Sequence, residues 1–137
     1  MPSFVINIDV PDLRAAVEFY TSAFALKVGR RFDDKFIELV GAEIPVYLLE
    51  TRAGTQIGPA GGDVRRFERH WSPIHPDFIV DDIESAIARV TWAGAVQEGE
   101  TRDEPYGKLA MFGDPFGHGF CLIEFNEQGY DAITASR

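Results

Sequence analysis

His75 and Asp77 stand two residues apart in the stretch HPDFIVDDI. Alternate side chains of a strand share a face, so this spacing sets an imidazole beside a carboxylate. A carboxylate that holds an imidazole prepares it for acid–base work. The plainer reading of His75 is a polar residue hydrogen-bonded to a neighbour; ligand contact and metal ligation are the others. Cys121, the only cysteine, is a nucleophile if its thiol ionises and a small apolar filler if it is simply buried. Tyr47 offers an aromatic wall with a hydroxyl handle, and equally well a core residue. Asn7 puts an amide on a strand face, where burial would oblige it to find partners. Of the other histidines, His118 in the DPFGHG turn reads as structural or exposed, and His70 as exposed. Asp114 closes that turn.

The elements that must position these groups come in two copies. Val5 to Leu13 reads VINIDVPDL, and His75 to Ile83 repeats its pattern seventy residues on. In that register Val10 falls on Val80, Asp12 on Asp82 and Leu13 on Ile83. Phe4, Ile6, Ile8 and Val10 alternate with Val5, Asn7 and Asp9; Ile74, Pro76, Phe78 and Val80 alternate with His75, Asp77, Ile79 and Asp81. Each strand therefore has one apolar face for a helix and one more polar face for other work. Leu13, Ala16, Val17 and Tyr20 follow at helical spacing, as do Ile83, Ala86, Ile87 and Val90, with Asp12 and Asp82 as N-caps.

The first half predicts strands over 4–10, 26–32, 36–40 and 46–51 and a helix over 12–24. The second predicts strands over 75–81, 95–100, 108–112 and 120–125, and a helix over 82–92 closed by Gly94. Module 1 is thus about 4–51 and module 2 about 73–126, each βαβββ, within one α+β domain spanning 1–137. Segment 52–72 reads as a linker, glycine-rich at GTQIGPAGG and then basic and aromatic (VRRFERHW); its glycine-rich part reads as a mobile connection, or alternatively as a lid over a site. Residues 128–137 read as a surface tail. Cys121 to Phe125 (CLIEF) aligns with Tyr47 to Thr51 (YLLET), which puts Glu124 on Glu50.

An apolar content of 45% against 26% charged residues describes a folded chain with a real core. A net charge of −9 argues against nucleic acid and anionic membranes as partners and favours a cationic small ligand. One cysteine excludes an internal disulfide and a multi-cysteine zinc site. With no leader pattern and no long apolar run, the expected location is the cytoplasm.

Two such modules resemble the vicinal oxygen chelate superfamily of glyoxalase I, extradiol dioxygenases, and fosfomycin- and bleomycin-resistance proteins. The resemblance covers about residues 4–126. Its most specific pieces are VPDLRAAVEFY, HPDFIVDDIESAIARV and PYGKLAMFGDPFGHGFCLIEF. It implies a curved, barrel-like mixed sheet with helices outside and ligand inside. It also implies four positions for a divalent ion, usually His, Glu or Gln, His and Glu. Carried onto this chain they are Val5, Tyr47, His75 and Cys121, of which only His75 is a usual ligand. Glu50 and Glu124 lie three residues beyond the second and fourth positions, on the opposite strand face. The expectation is a homodimer that binds a small molecule, sequestering an antibiotic or another toxic compound, at Asn7, Tyr47, His75, Asp77 and Cys121, with no metal or other cofactor. The alternative is a lyase, isomerase or dioxygenase that uses an altered divalent-metal site, or His75 and Asp77.

Overall fold

Asp12 and Asp82 do start the two helices. In the computed structural model, which describes residues 1–59 and 61–135, Asp12 Oδ1 accepts from the Ala15 N–H at 3.1 Å. Asp82 Oδ1 accepts from Glu84 N at 3.1 Å and Ser85 N at 3.5 Å. Both aspartates have extended backbones, as N-caps require. The chain divides into two compact units, one from Met1 to Glu68 and one from Arg69 onward.

The first unit runs β1 (Ile6–Val10), α1 (Leu13–Phe24), β2 (Lys27–Arg31), β3 (Phe36–Val40) and β4 (Val46–Glu50). Its sheet order is β1-β4-β3-β2, with β1 parallel to β4 and the other pairs antiparallel. Leu13, Ala16, Phe19, Tyr20 and Ala23 form the buried stripe of α1. Ile6, Ile8 and Val10 pair with Val46, Leu48 and Glu50, and Ile37 and Leu39 continue the same side. That is the helix side, because Glu50 Oε2 accepts from Leu13 N at 2.9 Å. Phe4, expected under the helix, is instead 69% exposed, since the strand begins only at Ile6.

The second unit runs β5 (Asp77–Ile79), α2 (Ile83–Ala93), β6 (Val96–Gln97), β7 (Arg102–Glu104), β8 (Gly107–Gly113), β9 (Gly119–Phe125) and a 3-10 helix (Gly129–Ile133). Its order is β5-β9-β8-β6, with β7 paired further along β8. The strand expected over 95–100 is therefore much shorter, and a further short strand, β7, follows beyond that span. β6 stops at Gln97, although Glu98 N still reaches Met111 O at 2.8 Å. β5 is shorter than expected and His75 precedes it, yet Cys121 N bonds Pro76 O and Val80 N bonds Ile123 O beyond its ends. Gly94 caps α2 at φ 125° as expected. The architecture is the expected α+β fold, built as two mixed sheets that do not close into a barrel.

Segment 52–72 is not a free tether. Gln56 bridges Val64, Gly54 N bonds Arg65 O, Arg65 N bonds Thr55 O, and Arg65 Nε meets Asp9 Oδ2 at 2.7 Å. Nor is the end of the chain wholly a surface tail. The Tyr130 ring lies 4.8 Å from Phe125 and 5.1 Å from Tyr106. Ser136 and Arg137 lie outside the described residues, as does Ala60 in the linker.

The internal repeat extends to a detail of helix support. Glu124 Oε1 accepts from Ile83 N at 2.9 Å, as Glu50 does from Leu13. Both glutamates stand on the helix side of their sheets, where each satisfies an otherwise open first-turn donor. Glu124→Ala should cost about 1–2 kcal/mol. Glu124→Gln, which keeps an acceptor, should recover most of it. Urea midpoints of the three proteins decide this; an unchanged midpoint in the alanine variant would refute the role.

Candidate functional site

The far face of the second sheet, away from α2, carries the first group. Phe78 pairs with Leu122 on the helix side, which leaves Asp77, its partner Cys121 and then Met111 on the far face. His75 Nε2 lies 3.3 Å from Asp77 Oδ1. The ligand atoms of His75, Asp77 and Cys121 all lie within 4.8 Å of one another. The imidazole and carboxylate are exposed, whereas Cys121 is only 3% exposed. Burial pushes the thiol up to about 12, helped by the Asp77 charge and by the hydrogen bond the thiol gives Asp77. At neutral pH Cys121 is thus a protonated donor, and its sulfur is not an ionised nucleophile.

Trp71 completes this surface, and sequence patterning does not single it out. Its Nε1–H donates to Glu98 Oε1 at 2.8 Å, and its ring meets His75 edge-on at 5.5 Å. The indole lies over Gly119, where a Cβ would come 2.5 Å from it. Gly113, paired with Gly119, makes the same room for Arg69. The Arg69 guanidinium sits 4.6 Å from the Trp71 ring centre and binds Glu98, holding that carboxyl below its usual range. A tryptophan upstream of two glycines in facing strands is the signal that could have found it. Asp114 closes its turn by accepting from Phe116 N and His118 N. His70, expected exposed, is half-buried and bonds Gly117 O through its N–H.

The far face of the first sheet carries the second group. Asn7 pairs with Tyr47, and Tyr47 with Glu38. Asn7 is exposed and reaches Asp9 Oδ1 at 3.4 Å. The register of β2 on β3 slips between Val28 and Arg31. This bulge aims Arg30 at Glu38: backbone N and Nε reach Oε1 at 3.1 Å each, and Nη2 reaches Oε2 at 2.7 Å. Tyr47 Oη donates to Glu38 Oε2 at 3.3 Å. The Arg30 hydrogen bonds hold the Glu38 carboxyl down at about 2. Gly29 is required here, since a Cβ would lie 2.7 Å from Glu38 Oε1. Val5 precedes β1 and is 45% exposed.

Residues 5–123 match the family model described as Glyoxalase-like domain. The chain belongs to the glyoxalase-like family. Among its relatives, the anthracycline biosynthesis protein DnrV of Streptomyces peucetius is 38% identical over 82 residues. That match takes 60% of this chain and 27% of DnrV, so the chain spans about a quarter of the relative's length. TioX from Micromonospora sp. ML1 superposes with a TM-score of 0.70 at 19% identity, covering 92% of this chain and 100% of that one. FosX from Listeria monocytogenes, in a mutant form complexed with Mn(II) and 1S,2S-dihydroxypropylphosphonic acid, gives 0.70 at 18%, covering 93% and 94%. At these identities the two neighbours show a shared fold. No helix among the described residues is long and apolar enough to cross a membrane.

The family's usual four-ligand set does not fit this glyoxalase-like chain. Val5 has no donor atom, and the Tyr47 hydroxyl is engaged with Glu38 and Arg30. Glu50 and Glu124 cannot replace them, because both carboxylates are turned to helix N-termini. His75, Asp77 and Cys121 do supply three donors, the number that protein side chains give an open zinc site. An ion there must first displace a thiol proton held at about 12. The same proton makes Cys121 unreactive: iodoacetamide at pH 8 should leave the folded protein unlabelled and label it fully in urea. Rapid stoichiometric labelling of the folded protein would contradict the burial and the hydrogen bond to Asp77.

Proposed function

We propose that this glyoxalase-like protein binds a small organic molecule through His75, Asp77 and Cys121, without a resident metal, as part of antibiotic-related chemistry. The observation that carries the reading is the His75 imidazole and the Asp77 carboxylate, 3.3 Å apart and both exposed on the far face of the second sheet. They offer a hydrogen-bonding pair to a ligand, and the lack of a donor at Val5 together with the engaged Tyr47 hydroxyl supports binding without a resident metal. Asn7 and Tyr47 are the proposed ligand contacts of the first unit. The relationship to DnrV, with its name in anthracycline biosynthesis, makes an aromatic antibiotic or its precursor the first ligand to try. We also propose that the protein works as a homodimer, since exposed sheet edges such as β2 and β6 need cover. Light scattering giving twice the 15.3 kDa chain mass supports this, and the chain mass itself rejects it.

The reading is tested by calorimetric titration of an anthracycline in excess EDTA. Binding is expected, weakened at least about tenfold in His75→Ala. No binding, or binding only after a divalent metal is restored, overturns it. A second reading, a metal-dependent enzyme, is favoured by the convergence of the His75, Asp77 and Cys121 ligand atoms. It is supported by FosX, a protein of the same fold whose mutant form is complexed with Mn(II).

A further inference from the structure

Three aromatic rings meet in the first unit. Phe32 and Phe36 lie 4.8 Å apart, Phe32 and Tyr47 5.9 Å, and Phe36 and Tyr47 5.6 Å. The pairing of Phe36 with Leu49 and of Tyr47 with Glu38 puts Phe36 and Tyr47 on the sheet face turned away from α1. Aromatic rings that serve the core of this unit, Phe19 and Tyr20, are almost wholly buried, whereas Phe32 is 45% exposed. The cluster is therefore not completed by the fold of its own unit.

Beside it stands a fixed cation. The Arg30 guanidinium lies 5.3 Å from the Phe32 ring centre. Glu38 holds it by Nε and Nη2 in a two-pronged pair that fixes its plane. The Arg30 side chain is 67% exposed and that of Glu38 9%, so the pair turns its positive end outward and its negative end inward. Nη1, the remaining prong, makes no hydrogen bond among the described residues. A guanidinium already held in place loses little freedom when a ligand arrives.

Resting on the small-molecule reading above, we infer that Phe32, Phe36, Tyr47 and Arg30 form a subsite for a planar aromatic acid. The ligand's ring packs on the three-ring cluster and its carboxylate or phenolate accepts from Arg30 Nη1. The outward guanidinium disfavours an aromatic cation, in contrast to the preference set by the overall charge of −9. An aliphatic acid of the same charge lacks the ring contacts.

The test is NMR titration with 2-naphthoate, 2-naphthylmethylammonium and cyclohexanecarboxylate at fixed ionic strength. Naphthoate should bind about tenfold more tightly than either other probe. Phe32→Ala and Arg30→Lys should each weaken it about tenfold in protein whose NMR spectrum is still that of the folded chain, Arg30→Lys at a lower melting temperature because its two-pronged pair with Glu38 is lost. Equal affinity for the three probes, or affinity unmoved in both variants, overturns the subsite. A naphthoate affinity that falls only in His75→Ala also overturns it, and leaves the small-molecule reading standing. Failure of the anthracycline titration with naphthoate bound at Phe32 and Arg30 overturns the His75 reading and supports the subsite.

Discussion

Gly107→Ala will destabilise the protein by about 3 kcal/mol or more, the largest loss expected from any single added methyl group. Gly107 has φ 144°, a conformation almost closed to other residues. A Cβ there would lie 2.0 Å from Glu124 O and 3.0 Å from Asn126 N. Both are backbone atoms of the neighbouring chain segment, so relief must break the ladder between Gly107 and Phe125. The same ladder sets Cys121 opposite Met111, and the site would loosen with it. Gly99→Ala is the control. Its φ is 82° but nothing lies within 4 Å of its Cβ, so it bears backbone strain alone, about 1 kcal/mol. Chemical denaturation of both variants separates clash from strain; equal losses would contradict the clash.

Acid will remove the contribution of Glu38, and Glu38→Gln will flatten that part of the pH profile. The Arg30 hydrogen bonds lower this carboxyl from its ordinary 4.5 to about 2. The unfolded chain then binds the proton more readily than the folded one. Stability from this group is complete above pH 4.5 and is lost as pH falls towards 2. Asp82 and Glu98, also lowered, act in the same direction. Glu38→Gln should therefore be less stable than the wild type at neutral pH and converge with it in acid. Urea midpoints measured down through this window check it; parallel profiles would show that Glu38 carries no such share.

Much of the fold is legible in the sequence because it obeys local rules. Alternation places Phe78 on the helix side and Asp77 and Cys121 on the far side, and the paired aspartates mark both helix starts. The ends of β1 and β5 are not legible, since Phe4 and His75 continue the alternation after the pairing has stopped. Segment 52–72 misleads because its order comes from distant partners. Arg65 finds Asp9 fifty-six residues away, and Arg69 and Trp71 find Glu98. Glu38 is hidden inside the apolar run FIELV, because only the bulge at Gly29 and Arg30 gives its carboxylate a partner. Trp71 is hidden in a basic and aromatic stretch that reads only as part of a linker.

The central claim, ligand binding without a resident ion, is tested most directly by elemental analysis of protein purified without added metal, wild type beside His75→Ala. The account predicts no stoichiometric manganese, iron, nickel or zinc in either protein. About one ion per chain in the wild type, lost in His75→Ala, would contradict it and establish His75, Asp77 and Cys121 as a metal centre.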